Sequence, residues 1–160
     1  KGSDAPAYTV VEFADFGCPH CAEAAHELEA VLPQFDDVQV QFKVYPLTGE
    51  CNPAAPPSGR DGRCRAAVAA DCAHQQGAFW TFTKDLFNSQ EELYRSDWAA
   101  ADLDFLAQTQ SLDMPSFKAC VADPSMVQGV IADAQAGAAG AWAAPPPSSS
   151  RGSSVRTGCA

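Results

Sequence analysis

No run of this chain is apolar over the roughly 20 residues that a membrane-spanning helix needs, so no such helix is expected. Basic side chains are scarce: 10 Lys and Arg stand against 20 Asp and Glu, a net charge of −10. That balance argues against nucleic acid and anionic membrane surfaces as partners. The opening Lys1-Gly2-Ser3-Asp4 is polar and lacks the apolar core of a secretion signal, as expected of a mature chain whose targeting segment has been removed. What remains is ordinary for a globular protein: 160 residues, 46% hydrophobic and 19% charged, enough for one domain with a sizeable core.

Cysteine, by contrast, is abundant. The chain has 7, more than a reducing compartment gives reason to keep, which points to an oxidising location such as a periplasm or cell exterior. Two of them form Cys18-Pro19-His20-Cys21, after the apolar run Tyr8 to Phe16 and Gly17, and before the helix-like stretch Ala22 to Leu32. A cysteine pair spaced this way, where a strand turns into a helix, makes a reversible dithiol/disulfide couple. Free N–H groups and the dipole at the helix start stabilise a thiolate, so Cys18 is the expected nucleophile and Cys21 its buried resolving partner. A bare C-x-x-C also serves zinc sites and inert bridges. Zinc needs a second ligand pair at matched spacing, and Cys51 and Cys64 are separated by a loop, so redox chemistry is preferred, with no metal and no cofactor.

Tyr8 to Phe13 is β-branched and aromatic, and Val38 to Val44 alternates apolar with polar, so both read as strands. Pro19 to Leu32 between them reads as a helix ended by Pro33, which predicts a βαβ unit with parallel strands. After a loop over 46–62, helices are expected over Arg63 to Gln76, Ala78 to Asn88, Trp98 to Thr109 (N-capped by Asp97), Pro115 to Ala122 and Ser125 to Ala136. Residues 137–160, rich in Pro and Ser, read as disordered low complexity.

The segment Glu12-Phe-Ala-Asp-Phe-Gly-Cys-Pro-His-Cys21 resembles the active-site segment of the DsbA-like thiol oxidoreductases, a branch of the thioredoxin superfamily. Gln76 to Trp80, Asp85 to Gln90 and Phe117 to Asp123 are similar to that family's helical insertion. The resemblance covers roughly residues 8–137. It implies an α/β thioredoxin-like fold: an N-terminal βαβ part over 1–45, a loop and helical insertion over 46–137, and an irregular tail over 138–160 in place of the C-terminal strands. It also implies donation of a disulfide to unfolded or reduced secreted proteins, and reoxidation by a quinone-linked membrane partner. Pro19 and His20 complete the implied site, with His20 adding positive charge or a hydrogen bond. Glu12 matches an acidic residue buried beneath the disulfide that assists proton transfer, and Lys43 matches a lysine that pairs with it. Asp15 reads as a turn or capping residue.

The tail departs from the family. A cis-proline loop and an apolar strand are expected to face the disulfide, yet Ala143-Ala144-Pro145-Pro146-Pro147 and serines stand there. Ala144–Pro145 is the candidate proline step. Back-translated with GC-rich codons and shifted by two bases, residues 141–152 resemble the missing loop and strand, so the tail reads as frameshifted. A chain without that loop would be a degenerate thioredoxin-like binding module without turnover, the alternative to an oxidoreductase. Among the other cysteines, Cys51–Cys64 is the preferred structural pair. Cys72 and Cys120 either bridge two helices or are small buried side chains, and Cys159 carries no assigned role. His26 and His74 read as surface or packing residues, and Phe79, Trp80, Phe82 and Phe87 as core of the insertion.

Overall fold

The structure is a computed structural model that describes residues 1–140 and, as backbone, 153–158. Strand β1 (Tyr8–Ala14) pairs in parallel with β2 (Val38–Val44), Tyr8 opposite Val38 and Ala14 opposite Val44. Helix α1 (Pro19–Val31) connects them. Pro19 is favourable at its first turn because its fixed φ suits a helix and its missing N–H is not needed there. Pro33 follows the other end, within a short 3-10 turn, Leu32–Gln34.

Parallel register puts Glu12 beside Phe42 on one face of the sheet and Phe13 beside Lys43 on the other. The Phe42 face is covered by α1 and by α3 (Phe79–Asn88), whose Phe79, Trp80 and Phe87 pack on the Phe42 ring. The Phe13 face meets α7 (Met126–Ala138). Gly137 lies so close to Tyr45 and Phe13 that a Cβ there would come within 2.7 and 3.0 Å of their rings.

Between these layers runs α2 (Gly62–Gln75), buried along nearly its whole length through Ala66, Ala67, Ala69, Ala70 and Ala73. Alanine lets neighbouring backbones approach, and the polar Arg63, Arg65 and Asp71 stay half-buried at the helix margins while His74 and Gln75 are exposed at its end. Around it lie α4 (Gln90–Arg95), α5 (Ala100–Thr109) and α6 (Met114–Val121), the last N-capped by the Asp113 carboxylate accepting from the Ser116 N–H at 3.0 Å. Two disulfides brace this block. Cys51–Cys64 ties the loop after β2 to the start of α2, and Cys72–Cys120 joins α2 to α6, with Cα separations of 5.9 and 5.8 Å. Cys159 and Ala144–Pro145 lie outside the described residues.

Three expectations are corrected. Asp97 does not cap the next helix. Asp97 and Trp98 adopt left-handed φ values of 55° and 48°, α5 starts only at Ala100, and the Asp97 carboxylate pairs instead with Arg60 and Arg65 at 3.1 and 3.3 Å. Residues 138–160 are not irregular throughout. Ser153–Gly158 forms β3, parallel to β1 on the edge away from β2, giving the order β2-β1-β3. A strand edge offers unpaired backbone groups to any extended segment, so pairing does not require the apolar alternation that the tail lacks. The third correction, at Lys43, belongs to the site.

Candidate active site

Cys18 is the N-cap of α1, with extended φ and ψ of −96° and 119°, and its carbonyl accepts from the N–H groups of Cys21 and Ala22 at 3.1 and 3.2 Å. Both cysteines stand outside the two bridges. Cys18 keeps 8% of its surface exposed and Cys21 keeps none, so Cys18 is the more accessible of the two. The Asp15 N–H points at Cys21 Sγ, 3.5 Å away. His20 is 82% exposed at its side chain and turns to Glu23 at 3.4 Å, on the solvent side of the helix.

The turn between β1 and Cys18 is held from several sides. Asp15, 3% exposed, accepts from the Gly17 N–H at 2.8 Å and the Leu47 N–H at 2.9 Å, and forms an ion pair with Arg63 at the start of α2. The Asp15 carbonyl accepts from the Cys18 N–H at 3.0 Å. Asp15 is thus the turn residue that its side chain suggests, while its guanidinium partner comes from the other side of the fold. Phe16 anchors the turn by stacking on Phe42 and packing against Phe87, centroids 5.7 and 5.2 Å apart. Gln90, on α4, donates to the Phe16 and Cys18 carbonyls at 2.8 and 2.9 Å.

Gly17 has no room for a side chain, since a Cβ would come within 2.8 Å of the Arg63 guanidinium and 3.0 Å of the Trp98 ring. Gly17→Ala therefore displaces Arg63 from Asp15, and we expect it to lower stability by about 1–3 kcal/mol. A denaturant midpoint equal to that of the parent chain would contradict this packing.

Glu12 is 4% exposed, and its Oε1 has no hydrogen-bond partner among the described residues. It borders a cavity of about 40 Å³ between the sheet, α1 and α3, lined also by Ala25, one helical turn beyond Cys21, and by Val40, Phe42 and Phe87. That volume admits a water molecule. Burial disfavours the charged carboxylate and pushes its pKa from 4.5 up to about 7. Lys43 does not meet Glu12. It stands opposite Phe13 in the parallel register, so its side chain leaves on the other face and pairs with Asp133 at 2.8 Å. Cys18, Pro19 and Cys21 thus lie together at the start of α1, Glu12 borders a cavity that reaches Ala25 on the same helix, and Lys43 leaves on the opposite face of the sheet. Arg63 and Gln90 are the partners that sequence reasoning did not assign to the site, although Gln90 closes the segment Asp85 to Gln90 that resembles the helical insertion. No group of three or more His, Cys, Asp or Glu among the described residues is placed to hold a metal ion.

The family model described as Thioredoxin matches residues 2–141. The chain belongs to the thioredoxin family. Within that family its fold is DsbA-like. It superimposes on alpha-DsbA1 of Wolbachia pipientis with a TM-score of 0.64 at 19% identity, over 86% of this chain and 66% of the other. A thioredoxin-like oxidoreductase from Silicibacter pomeroyi DSS-3 matches with a TM-score of 0.63 at 26% identity, over 82% and 66% of the two chains. MdbA, a thiol-disulfide oxidoreductase from Corynebacterium diphtheriae, matches with a TM-score of 0.60 at 18% identity, over 84% and 66%. Among curated proteins, the Na(+)/H(+) antiporter NhaA 3 of Salinispora tropica is 36% identical over 115 residues, 72% of this chain. The thioredoxin-family chain spans only 16% of that antiporter's length.

Proposed function

We propose that this chain is an extracytoplasmic thiol–disulfide oxidoreductase that donates the Cys18–Cys21 disulfide to reduced, unfolded secreted proteins. The observation that carries this reading is the division of labour among the described cysteines. Four are locked in two bridges within the helical block, and the remaining two sit together at the N-terminus of α1. A substrate thiolate attacks Cys18 Sγ, the Cys18–Cys21 bond breaks, and Cys21 leaves as a thiolate. A second substrate thiolate then attacks the substrate sulfur of the mixed disulfide and expels Cys18. The substrate loses two electrons and gains a disulfide, while the pair is reduced to the dithiol. Glu12, with a pKa of about 7, is suited to hold or release a proton near neutral pH as Cys21 departs, and the cavity it borders reaches Ala25, one turn beyond Cys21 on α1. A quinone-linked membrane partner would return the pair to the disulfide.

The two structural bridges favour an oxidising compartment. No ion transport is proposed: the likeness to the antiporters covers a small part of their length, and no described helix is long and apolar enough to cross a membrane.

The test is oxidation of a reduced dithiol peptide by the oxidised protein. Rapid peptide oxidation by the parent, and background rates with Cys18→Ser, are expected. Equal rates from the two would refute the reading and leave a thioredoxin-like binding module.

A further inference from the structure

We propose that Gln90 is a positioning residue of the redox turn, fixing the peptide planes on either side of the Gly17–Cys18 step and with them the presentation of Cys18 Sγ. The inference rests on the reading of Cys18 as the exchanging sulfur. Gln90 lies 72 positions from Cys18 in sequence, yet its single amide nitrogen reaches two carbonyls of the turn, Phe16 at 2.8 Å and Cys18 at 2.9 Å. Both amide hydrogens are thereby used, one on each carbonyl. The Cys18 carbonyl also accepts the first hydrogen bonds of α1 from Cys21 and Ala22, so Gln90 joins the helix start itself.

The support behind Gln90 is firm. Leu93, one turn along α4, is buried, and its carbonyl accepts from the Trp98 N–H at 2.7 Å, while Arg60 donates to the Tyr94 carbonyl at 3.1 Å. A neutral amide also sets the positive end of its dipole beside Cys18, in the same sense as the N-terminus of α1. A carboxylate at this position could not donate to either carbonyl. It would also bring negative charge to the place where the Cys18 thiolate forms.

The full chain and its Gln90→Ala and Gln90→Glu variants provide the test, through peptide oxidation, equilibration with glutathione and thermal unfolding. Gln90→Ala is expected to lower kcat about tenfold with KM within about twofold, because misaligned reacting groups lose rate rather than binding. Gln90→Glu is expected to shift the glutathione equilibrium about tenfold toward the protein disulfide, because the reduced form loses thiolate stabilisation. If Gln90→Glu does not fold, the kcat and KM of Gln90→Ala decide alone. Variants that melt earlier but match the parent in kcat and equilibrium overturn the inference and leave Gln90 a packing residue. A parent chain that does not exchange with glutathione overturns the redox reading, and this inference with it.

Discussion

Asp15→Ala is expected to destabilise the chain by about 3–5 kcal/mol, the range for removing one partner of a buried ion pair. The carboxylate is almost fully buried and satisfies the Gly17 and Leu47 N–H groups together with Arg63. Its loss leaves two backbone donors without an acceptor and a guanidinium without its counter-charge. Chemical denaturation of the oxidised protein measures the effect. Asp15→Ala combined with Arg63→Met should be milder than Asp15→Ala alone, because the double variant buries no unpaired charge. A double variant worse than the single would show that the two residues do not act as a pair. The same substitution loosens the turn that presents Cys18, so redox exchange should slow with it.

Glu12→Gln should act in the opposite direction on stability, and only above a certain pH. The folded-state pKa of Glu12 is raised by burial from 4.5 to about 7, so the folded chain holds this proton more tightly than the unfolded one. The stability associated with that proton is complete below pH 4.5 and is lost as pH rises through about 7. A shift of this size corresponds to up to about 3 kcal/mol. Glu12→Gln removes the titrating group while keeping its shape. At pH 8 the variant is expected to be more stable than the parent by about 2–3 kcal/mol, and at pH 4 equally stable. Denaturant midpoints across this range provide the check, and a constant difference from pH 4 to pH 8 would contradict the placement of Glu12. The gain in stability should accompany slower peptide oxidation near neutral pH, since Gln cannot exchange the proton.

The parts of the fold visible in the sequence are those that local chemistry determines. Cys18 and Cys21 are joined by two residues at the start of a helix, so their proximity follows from covalent geometry. The alternation of Val38 to Val44 and the β-branched and aromatic run of Tyr8 to Phe13 reveal strands because such side chains suit a pleated, largely buried sheet. The burial of Glu12 is not given by alternation, which only sets it on the face away from Val11 and Phe13; it follows from the packing of α1 and α3 over the Glu12–Phe42 face. Long-range register is not written locally. Lys43 and Phe42 are neighbours in sequence, and a one-residue difference in pairing decides which of them faces Glu12. Gln90 and Arg63 reach the active-site turn only after the helical block has packed, and α4, six residues long, is too short to show a helical period. The pairing of Ser153–Gly158 with β1 rests on backbone hydrogen bonds, which Ser and Thr make as readily as Val.

Equilibration of the protein in graded glutathione buffers, followed by alkylation and mass spectrometry of each cysteine, tests the redox assignment most directly. The structure predicts that Cys18 and Cys21 pass together between dithiol and disulfide as one two-electron couple, while Cys51–Cys64 and Cys72–Cys120 remain bridged throughout. Cys18 and Cys21 that are alkylated independently of one another, or that stay reduced when the glutathione is fully oxidised, would contradict it.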